Sequence, residues 1–358
     1  MSAVPAPDGG PDAGAVWHYG DPFGEQRAAA DSAVVIDRSH RATLTLTGPE
    51  RRSWLHTISS QHVSDQADGT VTENLNLDGQ GRVEDHWIQV ELGGTTYLDT
   101  EPWRGEPLVA FLRRMVFWAD VAIDPAELAV LTLLGPALAD TPVLDALGID
   151  ALPAESTAVA LPEGGFVRRV TPAGGVELDL LVPRDQAADR RRRLEAAGVR
   201  PAGVWAHEAH RVTALRARLG VDTDERTIPH EVGWIGKAVH LDKGCYRGQE
   251  TVARVHNLGK PPRMLVRLHL DGSGDRPATG DPVQAGGRTI GRLGTVVDHV
   301  DDGPIALALV KRGLPADTPL ITGGEVAAAA VVDSDSLPPA DTVGAGRIAV
   351  ERLRGGAR

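Results

Sequence analysis

The chain is poor in the features that mark several large protein classes. It holds one cysteine, Cys245, in 358 residues, so an internal disulfide framework is excluded and a reducing cytoplasm is the expected compartment. The first residues lack the basic-then-apolar order of a signal peptide. No run of about 18 apolar residues occurs, so no membrane-spanning helix and no membrane partner is expected. Basic residues are outnumbered: 37 Lys and Arg against 49 Asp and Glu leave a formal charge of −12 and a pI near 5.5. Lasting attachment to DNA or tRNA rests on clustered Lys and Arg, so direct nucleic-acid binding is not expected. Neither a CxxC nor an HExxH pattern is present, nor an internal repeat or a coiled coil. His207 and His210 share a helix face with Glu208 close by, but no cysteine pair accompanies them, and no metal site is expected.

What is there begins with a hydrophobic content of 42%, enough at this length for two or three packed domains. Residues 1–15, rich in Ala, Pro, Gly and Asp, read as a flexible leader. Thr and Leu alternate over Ala42–Thr47, which predicts a strand, and Pro49 opens a short helix with Trp54, Leu55 and Ile58 on one side. Leu75–Leu77 and Val83–Leu92 read as strands joined through Asp78-Gly79-Gln80-Gly81, and Gly93-Gly94 turns the second into Thr95–Leu98. Helical spacing of Leu108, Phe111, Leu112, Met115 and Val116 predicts a helix, and Leu128–Leu134 a strand. Further strands near Phe166–Val170 and Val176–Val182 precede a helix over 184–197, whose Arg190–Arg193 run reads as a solvated face. After Gly259 the texture changes to short apolar strands between Gly- and Pro-rich turns, a small barrel or sandwich. Ser334–Ala340 reads as a surface loop before a last strand. The mixture of helices with antiparallel strands makes the class α+β.

The most specific string is Lys243-Gly244-Cys245-Tyr246-Arg247-Gly248-Gln249-Glu250. A thiolate is the reactive form of cysteine, and Lys243 and Arg247, two positions to either side, supply positive charge for it. The glycines allow a tight turn or a close approach to a ligand. A lone intracellular cysteine is in general a buried, inert side chain, and His256, just after the string, is a candidate helper for Cys245. Asp85 alternates with Val83 and Trp87 on one strand, so a carboxylate shares a face with apolar groups and calls for a partner.

Continued as Thr251-Val252-Ala253-Arg254, the octapeptide resembles the signature of the YgfZ family, the folate-binding branch related to the glycine-cleavage T-protein, which includes mitochondrial iron-sulfur assembly factors. Leu44–Pro49, Trp54-Leu55 and Leu75–Val83 are similar to the family, as are Arg216–Gly220, Pro229-His230-Glu231, Gly259 and Arg263. The resemblance implies a T-protein-like folate-binding region over 16–258, with two subdomains, and a C-terminal β-barrel domain over 259–358. It implies tetrahydrofolate, or a one-carbon derivative, as cofactor. In the T-protein the stretch matching Glu84-Asp85 carries two acids, one of which meets the reacting end of tetrahydrofolate, which makes Asp85 that residue here. A pterin presents an amide-like edge that a carboxylate or guanidinium reads in bidentate fashion, and Arg216, Arg218 and Glu231 are the candidates. The T-protein pattern would place a pterin-holding Glu where this chain has Arg218. Cys245, Lys243 and Asp85 are therefore the candidate catalytic residues. Asp85, Arg216, Glu231, Tyr246, Gln249 and Arg254 are the candidate cofactor-binding ones, with Gln249 and Glu250 expected to brace the loop.

The resemblance implies a folate-binding accessory protein for assembly or repair of iron-sulfur clusters in a subset of enzymes, acting through tetrahydrofolate and Cys245. Its partners would be the client enzymes or assembly proteins, and its effect on tRNA modification indirect. One cysteine cannot hold a cluster whose usual complement is four thiolates, so any cluster is shared with another chain, a second copy or a small thiol. The alternative is a tetrahydrofolate-dependent aminomethyltransferase of the glycine-cleavage type, in which Cys245 is incidental. A folate-binding scaffold whose loop docks partners is a third reading.

Overall fold

The computed structural model describes residues 2–170, 175–324 and 326–337. The chain divides into two compact units. One comprises residues up to Asn74 together with Asp85–His210, and the other Leu75–Glu84 together with residues from Arg211 onward.

The first unit is built on two sheets. One has six strands in the order Ala158–Ala160, Phe166–Arg169, Glu177–Pro183, Leu128–Leu134, Val34–Asp37 and Arg200–Ala202. All its pairings are antiparallel except the last, where Arg200–Ala202 runs parallel to Val34–Ile36. Leu128–Leu134 reads as an unbroken apolar run because both of its faces are covered. Leu131 and Leu133 look into a core with Leu178, Leu180 and Leu194, while Val130 and Leu134 enter cores on the other side. The other sheet has the order Thr70–Leu77, Val83–Leu92, Thr95–Thr100, Ala42–Thr47 and Ala122–Pro125. The Thr/Leu alternation of Ala42–Thr47 turns Leu44 and Leu46 inward, onto Trp87, Leu98 and the helices Arg51–Ile58 and Gly105–Arg114.

Charge is buried here as well. Arg168 contacts Asp179 and Asp99, and Arg41 joins Asp99 at 2.7 Å and Glu101 at 3.0 Å. Burial pushes the Asp99 carboxyl up, but Arg168 and Arg41 outweigh it and hold the group well below the usual carboxylate range.

The expectation of a flexible leader over residues 1–15 is corrected. Val4–Pro5 pairs with Val16–His18, Ala6 and Ala15 are buried beside Val34 and Ile36, and Asp12 meets His40 at 2.9 Å. Composition alone undercounted the contacts two small alanines make once paired.

The second unit holds a closed six-stranded barrel in the order Arg263–Leu270, Gly303–Lys311, Arg288–His299, Pro282–Ala285, Leu320–Thr322 and Ala328–Val332. Strict alternation in Arg263–Leu270 sends Met264, Val266, Leu268 and Leu270 to its interior. Residues 211–258 pack with this unit rather than ending a separate region at 258. Arg211 donates to Asp222 at 2.6 Å and also reaches the Thr295 hydroxyl of the barrel, while the Thr295 N–H donates to Asp222 at 2.7 Å. Ser334–Ser336 forms one 3-10 turn, and the last strand expected beyond Ala340 lies outside the described residues.

Candidate functional site: the signature loop and the acidic hairpin

In the second unit the tip Leu75–Glu84 of the hairpin supports the signature loop. The Asp78 carboxylate accepts from the Gln80 and Arg82 N–H groups, each at 2.8 Å, which closes the turn. Gly81 and Gly248 then meet backbone to backbone. A Cβ on Gly248 would lie 2.6 Å from the Asp78 carbonyl oxygen and 2.8 Å from the Gly81 Cα, and Gly248 has φ +83°. Glycine is thus required where the loop enters the helix Gln249–Leu258. Gln249 returns its side-chain amide to the Lys243 carbonyl at 3.3 Å, so the expectation that it braces the loop agrees with the geometry.

Cys245 is exposed. Its two flanking cations face elsewhere, which alters the expected electrostatics. Arg247 donates to Glu84 at 2.8 Å, and Glu84 also accepts from Asn76 at 3.2 Å. Lys243 is buried, its ammonium 5.3 Å from the centre of the Tyr246 ring, and burial pulls its pKa down to about 8. Tyr246 packs among Leu75, Leu77, Val83 and Val252. Its hydroxyl finds no hydrogen-bond partner among the described residues, and burial raises its pKa to about 12. Tyr246 is therefore the apolar anchor of the loop. Arg254 is exposed on the following helix.

Glu231 is buried and its carboxylate is engaged on both oxygens. Arg263 reaches them at 2.9 and 2.8 Å, and the Ile228 N–H donates at 3.2 Å. The same guanidinium binds Asp224 at 2.6 and 3.0 Å. The expected pterin-reading role of Glu231 thus competes with a structural one. Arg216 is half-buried and lends its carbonyl to Arg211 at 2.5 Å, and Arg218 is buried rather than solvated. His230 has both ring nitrogens buried without a hydrogen-bond partner among the described residues. Burial and the neighbouring His256, with ring centres 6.1 Å apart, lower its pKa to about 4. His256 faces His230.

Asp85 belongs to the first unit. It is buried and its Oδ1 accepts from Arg104 at 2.6 and 2.8 Å, the partner its strand position called for. Sequence reasoning missed Arg104, which lies 19 residues on with no pattern linking the two. It placed His207, His210 and Glu208 together but missed Glu177, which joins them in the fold. His207 lies 3.4 Å from Glu208 and 3.9 Å from Glu177, and His210 lies 3.5 Å from Glu177. Burial and the positive Arg38 lower the His207 pKa to about 4 against the pull of the two acids. Among the described residues no group of three or more His, Cys, Asp or Glu is arranged to hold a metal ion, and no helix is long and apolar enough to cross a membrane.

The crystal structure of the glycine cleavage system aminomethyltransferase T from Bartonella henselae superposes with a TM-score of 0.81 at 19% identity, over 93% of each chain. Aminomethyltransferases from Herpetosiphon aurantiacus and from Synechococcus sp. (strain WH7803) are 27% and 28% identical to the chain. The first match covers 82% of this chain and 83% of the relative, the second 81% and 82%. The family model of the GCVT N-terminal domain matches residues 22–243, and the chain belongs to that family.

Proposed function

We propose that this protein binds a reduced folate and acts as a T-protein-type one-carbon transferase, with an aminomethyl group as the unit moved. The names of its relatives support that reading, and the observation that carries it in the structure is Asp85. This buried carboxylate, held at Oδ1 by Arg104, is a fixed acceptor able to orient an amine of tetrahydrofolate. The residues present fit the cofactor in part: Asp85 suits the reacting end, whereas Glu231 has its oxygens spent on Arg263. When bound, tetrahydrofolate supplies the amines that accept the one-carbon unit. Asp85 would accept a hydrogen bond from one of them and so orient it, while Arg104 would keep the carboxylate from rotating.

The second reading is the YgfZ-type accessory factor for iron-sulfur proteins, favoured by the exposure of Cys245 on a loop that Gly248 packs against the hairpin tip and Gln249 ties to the Lys243 carbonyl. Calorimetric titration with tetrahydrofolate tests the common premise, and the absence of binding by any reduced folate refutes both readings. Aminomethyl transfer lost in Asp85→Ala but kept in Cys245→Ser supports the transferase. Restoration of iron-sulfur enzyme activity in a family-deficient strain, lost in Cys245→Ser with its fold intact, supports the accessory factor instead.

A further inference from the structure

A cleft of about 560 Å³ opens in the first unit, and none of the residues weighed above for folate lines it. One wall is the side of the helix Gly105–Arg114 on which Glu106, Val109, Ala110 and Arg113 recur. Pro125 and Ala126 also line the cleft. Backbone groups there are already paired: the Ala126 N–H donates to the Thr43 carbonyl at 2.8 Å, and the Ala126 carbonyl accepts the Thr43 hydroxyl at 2.6 Å. The walls therefore offer hydrocarbon, and the polar recognition falls to the charged side chains.

Arg41, at the edge, is committed to Asp99 and Glu101. Arg184 is not: its side chain is 45% exposed and its carboxylate neighbour, Glu127, stands 3.7 Å away and is itself 90% exposed, a pair that water screens. Arg113 gives Nε and Nη2 to the Ile123 carbonyl and Nη2 to Asp124, which leaves Nη1 over. Glu106 precedes Arg113 by two turns, about 10 Å of helix rise, so acid and base mark opposite ends of the helical wall. Among the described residues that line the cleft there is no aromatic ring, which disfavours a stacked heterocycle.

We propose that this cleft binds an aliphatic carboxylate, its head group held by Arg184 and its chain lying along Val109, Ala110, Pro125 and Ala126. The volume falls within the range of small-molecule sites, and the ligand's two parts match the two chemistries of the walls.

Calorimetric titration of the full chain with n-decanoate, below its micelle-forming concentration, tests this beside n-decanol and acetate. Saturable one-to-one binding of decanoate is expected, with decanol weaker by about tenfold and acetate silent. Arg184→Gln, at an exposed side chain, weakens decanoate binding at least about fivefold and leaves decanol unchanged. Ala110→Trp, on the exposed side of the helix, abolishes binding of both without lowering the melting temperature. Added tetrahydrofolate leaves the decanoate affinity unaltered. Absence of saturable binding, equal affinity for the alcohol, indifference to both substitutions, or competition by tetrahydrofolate overturns the proposal.

Discussion

At the scale of single residues, Glu231 shows how a candidate cofactor-binding residue acquires a structural duty, as the partner of Arg263. Glu231 is buried, and a buried carboxylate stripped of its partner is far more costly than the pair itself is stabilising. Arg263→Ala is expected to lower unfolding free energy by roughly 3–5 kcal/mol. Arg263→Lys should rescue little of it, because an ammonium cannot fork onto both oxygens while reaching Asp224. Denaturant unfolding of the three proteins measures both, and an unchanged midpoint for Arg263→Ala would contradict the clamp. Asp224 adds a signature in acid. Burial raises its pKa, but hydrogen bonds from Arg263 and Thr227 win and bring it to about 2, below its value in the unfolded chain. Its contribution is present above about pH 4 and disappears as pH falls through 2, so the acid limb of the stability curve flattens in Arg263→Ala. Arg263 was visible in the sequence as part of a family resemblance; the clamp was not, because Asp224, Glu231 and Arg263 are brought together by a loop and a strand start.

At the scale of elements, the strands and helices with clear periodicity are where their patterns place them, among them Arg51–Ile58, Leu128–Leu134 and Val83–Leu92. The N-terminal hairpin escaped because its pairing, Val4 with His18, leaves no alternation in a segment of Ala, Pro and Gly. The hinge between signature loop and helix depends on one glycine. Gly248→Ala must hold a left-handed φ and displace the Asp78 carbonyl, an expected loss of about 2–4 kcal/mol by thermal or chemical unfolding. Gly244→Ala, where an added Cβ meets nothing within 4 Å, is the matched control and should change stability little. If both behave alike, the backbone contact between the loop and the hairpin tip is not what holds the loop.

At the scale of the whole molecule, acid sensitivity is shared by both units. His207 in the first and His230 in the second are held neutral by burial, each with a folded pKa near 4 against an ordinary value of 6.5. A neutral imidazole favoured by the fold contributes stability that is complete above about pH 6.5 and is lost as pH falls toward 4, where the unfolded chain binds the extra proton. Hydrogen exchange at pH 7 and pH 5 should therefore show both units losing protection, and retention in either would assign that histidine an unforeseen partner.

The sequence by itself determined the class of secondary structure, the barrel's strand texture and the position of the cysteine-bearing loop, because periodicity, turn glycines and an eight-residue string are local properties. Tertiary structure alone decided that Lys243 lies against Tyr246, that Arg104 secures Asp85, and that Arg41 and Arg168 meet Asp99 and Asp179 inside the first unit. Those outcomes turn on distances between residues remote along the chain, and on desolvation, which has no local signature.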